Sequence, residues 1–166
     1  MTDPAALCLA CNFCCDGTLF DFAEVPEGES LHPALRQGTK GGKRGFHQPC
    51  PCSDTTGCLI YASRPGVCRD FRCVTLDAFA QSRITFSDAL QRVEGLRRLA
   101  NEARALAGGE SIADCARALQ GLSPEQAAAP EGRRLALVLA AIQRSTSLHF
   151  GAAAADTSPA RHTTQR

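Results

Sequence analysis

The stretch Cys8-Leu-Ala-Cys11-Asn-Phe-Cys14-Cys15 decides how the N-terminal half of this chain is built. Its spacing is CxxCxxCC. A two-residue spacer lets a tight turn bring two thiolates onto one metal. Three sulfurs in such a row can hold three corners of an iron–sulfur cluster, with a fourth ligand from elsewhere. Cys8 and Cys11 can equally form half of a tetrahedral zinc site. Cys14 and Cys15 are neighbours, so their side chains tend to diverge. The expectation is that they serve different metals, or that one ligates while the other packs.

Working outward, a second group opens about 35 residues after Cys15 and holds Cys50, Cys52, Cys58, Cys68 and Cys73. Nine of the ten cysteines therefore lie between Cys8 and Cys73. Neither group alone closes a familiar zinc knuckle. Together they supply enough thiols for two four-coordinate sites with one left over, and pairing between the groups would staple the intervening loop. The N-terminal residues lack the basic and apolar regions of a secretory signal, which makes the cytoplasm the expected compartment. Thiols stay reduced there, and dense cysteine then reads as metal or redox chemistry rather than as disulfides. A bridge between the neighbours Cys14 and Cys15 would also strain the backbone.

The pattern Cys8-x2-Cys11-x2-Cys14-Cys15, then Cys50-Pro51, then Cys58-Leu-Ile-Tyr61-Ala-Ser-Arg64-Pro65-Gly-Val-Cys68-Arg69-Asp-Phe71-Arg-Cys73, resembles the CxxCxxCC (YkgJ-like) cysteine-cluster family. Those proteins are described as zinc- or iron-chelating. The resemblance covers about residues 7–74, under half of the chain. It implies metal ligation by Cys8, Cys11, Cys14, Cys15, Cys50, Cys58, Cys68 and Cys73. Cys52 falls where the family more often has an apolar residue, so it is a spare thiol or a swapped ligand. Larger relatives with a similar cluster include flagellin lysine N-methylases, but this chain is much shorter and that activity does not carry over.

The other residues of the block have physical readings. Four thiolates around one zinc, or around an iron–sulfur core of charge 2+, leave a net charge of about −2. Arg64 and Arg69, and to a lesser degree Arg72, can donate N–H groups to sulfur and offset it. Pro65 can fix the turn that returns the chain to Cys68, and Ile60, Tyr61 and Phe71 read as cover. His47, three residues before Cys50, is a further candidate ligand, although a loop histidine is the plainer reading. Cys115 sits on an apolar helical face and reads as a buried, inert thiol. The segment Gly38-Thr-Lys-Gly-Gly-Lys-Arg-Gly45 has the wrong count for a phosphate loop and reads as a mobile basic loop. The CxxC lacks the βαβ context of a thioredoxin-like pair.

The second half reads as helices. A cap near Thr85 or Ser87 precedes a stripe of Leu90, Val93, Leu96, Ala100, Ala103 and Ala107, ended by Gly108-Gly109. Ser111 caps a shorter helix with Ile112, Cys115 and Leu119 on one face. Ser123-Pro124-Glu125-Gln126 is a capping box with proline in first position. A further helix from about Glu131 turns Leu135, Val138, Leu139 and Ile142 inward. The fold expected is mainly α: an irregular, metal-organised cysteine-rich module at 1–75 packed on a small helical bundle at 76–150, with a disordered tail at 151–166.

Composition narrows the function. The net charge of +1 over 166 residues gives no global reason for nucleic acid. No tryptophan and 5 % aromatics argue against a base-stacking surface. No apolar run approaches the roughly 20 residues of a membrane span. The expected function is binding of zinc or iron, an iron–sulfur cluster included, with the metals structural or held for delivery or sensing. The alternatives are an iron–sulfur-dependent redox or group-transfer enzyme and a protein-interaction module. No catalytic set is identifiable, and the protein partner is unspecified.

Overall fold

A computed structural model describes residues 3–54 and 56–153. The chain is mainly α. Helix α1 (Pro4–Cys11) starts on an Asp3 cap, with proline at its first position, and stops at Asn12. A three-stranded antiparallel sheet follows, in the order β1 (Phe22–Glu24), β3 (Lys43–His47), β2 (Gln37–Lys40). The short pair β4 (Ser53–Asp54) and β5 (Gly57–Cys58) leads into a 3-10 turn, Tyr61–Ser63. Five-residue α2 (Gly66–Asp70) and seven-residue α3 (Val74–Ala80) carry Cys68 and, as the cap of α3, Cys73.

The first half is thus more regular than expected. The basic 38–45 segment is not a mobile loop but the β2–β3 hairpin, turning at Gly41-Gly42 with both glycines at positive φ. The local signals were too short to stand out: the strands run three to five residues and their exposure barely alternates.

The helical half follows the sequence closely. Helix α4 (Phe86–Ala107) opens on a capping box between Thr85 and Asp88 and ends at left-handed Gly108. It buries Ala89, Val93, Leu96, Ala100 and Ala103. Helix α5 (Ile112–Gln120) opens on a second capping box, Ser111 with Asp114. Helix α6 (Pro124–Ala128) opens on a third, Ser123 with Gln126. Ala129 is held extended by the proline after it, which separates α6 from α7 (Pro130–Ser145). The two helices approach so closely that a Cβ on Gly132 would lie 2.3 Å from the Gln126 carbonyl oxygen. Helix α7 buries Leu135, Val138 and Ile142 against α4, and a π-helical turn, Thr146–Phe150, ends the described helices.

The expected tail begins differently. Gly151–Ala153 is tied back to the last cysteine of the cluster: Ala152 pairs with Cys73, Val74 N–H donates to the Gly151 carbonyl, and Ala153 N–H to that of Arg72. The remainder of the tail, 154–166, lies outside the described residues. None of the described helices is long and apolar enough to cross a membrane.

Two apolar cores result. The larger joins Leu7 and Phe13 of the N-terminal turn to Leu76, Val93, Leu96, Leu135, Val138, Ile142 and Phe150. The smaller is built from Val25, Leu35, Phe46, Cys50 and Cys52. Phe13 stands edge-on to Phe150, with ring centroids 5.4 Å apart, so the cysteine turn is seated on the helical half.

Candidate metal centre

The CxxCxxCC turn owes its shape to Asn12. Helix α1 places Cys8 and Cys11 in its last four residues, then stops because Asn12 takes left-handed φ 61°. Asparagine tolerates that region better than most residues. The Asn12 amide donates from Nδ2 to Ser53 Oγ at 2.6 Å and to the Asp54 carbonyl. The Cys15 and Asp16 N–H groups donate to the Asn12 carbonyl oxygen, which folds Cys14 and Cys15 back under the helix end.

Two arginines of α4, neither of them part of the cysteine motif, clamp this turn. Arg97 Nη2 donates to the Ala10 and Cys11 carbonyls at 2.6 and 3.0 Å. Arg104 Nη2 donates to the Asp16 carbonyl at 2.9 Å and to Thr18 Oγ1 at 3.0 Å. The signal that would have found them is their seven-residue separation, two turns of helix, which puts both on one face. Between them Gly17, at φ 78°, allows Ser111 to approach: an added Cβ would meet Ser111 Cβ at 2.8 Å.

Six of the eight cysteines of the sequence motif fall into two sets by packing. Cys8, Cys11 and Cys73 pack on the larger core, whereas Cys15, Cys50 and Cys68 belong to the smaller one. Burial pushes Cys11 up to about 12, the Phe13 backbone N–H counteracts it, and the nearby Cys73 and Cys8 sulfurs add to the rise. Cys14 is also raised, first by burial and then by Cys11, Cys15, Cys73 and Cys8. On the other side, burial pushes Cys15 up to about 12, helped by Cys50, Cys58 and Cys68. Cys68 rises to about 11 through burial and then through Cys50 and Cys58. Cys14 and Cys58 line the same cavity as the other six. The Cys50 N–H donates to the Cys15 carbonyl at 2.7 Å, which ties the two parts of the motif together.

All eight line one cavity of about 350 Å³. Cys52 and Cys115 do not. Cys52 is 3 % exposed and packs in the smaller core, and Cys115 is fully buried in the larger. His47 is likewise outside the cavity lining; its exposed ring stands against Phe22 at 5.0 Å. Phe13, Phe20, Phe46 and Phe71 contribute apolar walls.

Of the arginines expected near the sulfurs, Arg64 is a wall of the cavity. Its guanidinium lies 3.9 Å from the Tyr61 ring centroid, and its Nε is buried without a hydrogen-bond partner. Its charge favours the ionised forms of both Cys8 and Cys68, one from each set. Arg69 is exposed and donates to the Arg64 carbonyl at 3.4 Å instead, a support for the turn rather than a wall of the cavity. Arg72 is exposed beside Asp77, at 3.8 Å.

Among the described residues, no three His, Cys, Asp or Glu side chains converge as the ligands of a single ion do. No protein-family model, no curated protein and no solved structure matches this chain.

Proposed function

We propose that this chain is a metal-binding protein in which Cys8, Cys11, Cys14, Cys15, Cys50, Cys58, Cys68 and Cys73 hold zinc or iron, as the sequence resemblance to the CxxCxxCC family implies. The observation that carries the reading is the shared cavity: it is lined by these eight thiols and by neither Cys52 nor Cys115. The donor set fits the group. Thiolates suit zinc and iron–sulfur centres, and the buried Arg64 Nε, without a hydrogen-bond partner on the cavity wall, supports a negatively charged occupant. The metals are structural, or held for delivery or sensing, in a reducing compartment such as the cytoplasm.

The raised thiols bear on how metal enters. They are protonated at neutral pH when the protein is metal-free, so binding releases protons and metal affinity rises with pH. The test is metal content of the purified full chain by elemental analysis. Wild type should hold metal, Cys52→Ser and Cys115→Ser should hold as much, and Cys8→Ser/Cys11→Ser should lose part of it. A folded wild-type chain that takes up neither zinc nor iron under reducing conditions overturns the reading.

A further inference from the structure

Among the described residues, two buried side-chain polar atoms lack a hydrogen-bond partner: Arg64 Nε and Gln48 Oε1. Both residues line the thiol cavity. Folded proteins leave few buried polar atoms unpaired, because each one gives up its bonds to water without replacing them. That both orphans belong to one cavity points to the occupant of that cavity as their partner. Arg64 is part of the cysteine block of the sequence, whereas Gln48 lies outside it.

Strand alternation brings Gln48 to the cavity. Side chains two apart along an extended chain point to the same side. Phe46 of β3 is 1 % exposed and lines the cavity; Gln48, two residues on, is 9 % exposed and lines it too. His47, between them, is exposed. The Gln48 N–H donates to the Asp21 carbonyl at 3.0 Å, which fixes the backbone just before β1 pairs with β3. Two residues further on, Cys50 is a thiol of the wall. Leu35, Phe46 and Ile60 make this wall largely apolar, so packing alone gives no reason for a glutamine.

A glutamine amide carries an acceptor and a donor of nearly the same shape, and a half-turn about its last bond exchanges them. Toward the negatively charged occupant that Arg64 supports, the NH2 is the favourable end. Groups that hydrogen-bond to metal ligands, without being ligands themselves, orient those ligands and tune the metal. We propose that Gln48 is such a positioning residue: its side-chain NH2 donates to a cysteine sulfur of the bound metal–thiolate group and holds that sulfur in place. The proposal rests on the metal-binding reading and adds to it a residue outside the cysteine motif.

The experiment loads the reduced full chain with zinc and, in parallel, with cobalt, whose sulfur-to-metal charge-transfer band reports on the thiolates. Gln48→Met keeps the bulk of the side chain and removes both polar atoms. It should hold zinc about 10- to 100-fold more weakly than wild type in competition with a chelating dye. It should also move the cobalt band to longer wavelength, because a sulfur that loses a hydrogen bond releases electron density more easily. Gln48→Glu, which has the shape of glutamine but no NH2, should weaken zinc binding at least as much, since its carboxylate repels the thiolates. It carries the test should Gln48→Met fail to fold. His47→Ala should match wild type in both measurements. Wild-type zinc retention by Gln48→Met overturns the inference and leaves metal binding standing. Weaker retention with an unmoved cobalt band is a loss of packing and overturns it as well. Zinc bound by Gln48→Glu as tightly as by wild type assigns the oxygen end to the occupant and overturns the NH2 donor. Wild type that takes up neither zinc nor cobalt overturns the inference, and with iron refused too it overturns the metal-binding reading.

Discussion

The two halves of this chain hold themselves together by different means. The helical half is a conventional assembly, in which capping boxes start α4, α5 and α6, and α4, α5 and α7 each bury apolar residues on one side. Its centre is filled: Leu96 is 1 % exposed, and Ala100, Ala103 and Cys115 are fully buried. The cysteine half has strands of two to five residues, helices of five to eight, and a centre lined by thiols around a cavity of about 350 Å³. Elements that short do not stand alone in water. The contrast teaches that capped helices on a filled apolar core make one half, whereas the other combines short elements and a smaller core with a thiol-lined cavity.

If the thiols hold metal as proposed, removing it has the largest expected effect. A strong chelator under reducing conditions should expose the segment between Asp3 and Cys73 to limited proteolysis while the far-ultraviolet signal of α4 and α7 persists. Structural metal contributes about 10 kcal/mol or more of apparent folding free energy in small thiolate domains. Equal protease resistance with and without metal would erase the contrast between the halves.

Next in size, Leu96→Ala should cost about 2–5 kcal/mol in urea unfolding, as a cavity in a packed core does. Metal content per folded chain should be unchanged, because the residue belongs to the filled half. Arg97→Ala tests the junction. It removes the donors to the Ala10 and Cys11 carbonyls, and should cost about 1.5 kcal/mol, the low end for hydrogen bonds from a charged group. Its sharper consequence is faster metal loss to a competing chelator; release at the wild-type rate would show that the clamp is not needed by the cysteine turn. The smallest change is Ser111→Ala, which removes the cap of α5 and should lower stability by roughly 1 kcal/mol with metal release unaffected.

The helical half was largely legible because its signals are local. Thr85, Ser111 and Ser123 cap as their positions predict, and Gly108 ends α4 in the left-handed conformation that its lack of a Cβ permits. The β2–β3 hairpin was missed because four or five residues around Gly41-Gly42 carry too little alternation to distinguish a strand from a loop. The role of Gly151–Ala153 was missed because its partners, Arg72, Cys73 and Val74, are nearly 80 residues away in the chain. At the candidate centre, residue type and spacing named the eight thiols and set Cys115 apart. They left Cys52, His47 and Arg69 as candidates that three-dimensional placement moves away from the cavity.

The sequence by itself determined the helices, their caps and the cysteine motif, since each depends on residues within a turn or two of one another. Only the tertiary structure decided which distant cysteines pack together. Cys73, on the cap of α3, lies with Cys8 and Cys11 against the larger core, and Cys15 lies with Cys50 and Cys68 at the smaller one. That choice follows from the left-handed turn at Asn12 and the arginine clamp from α4, and long-range packing of this kind has no signature in the spacing of the residues it brings together.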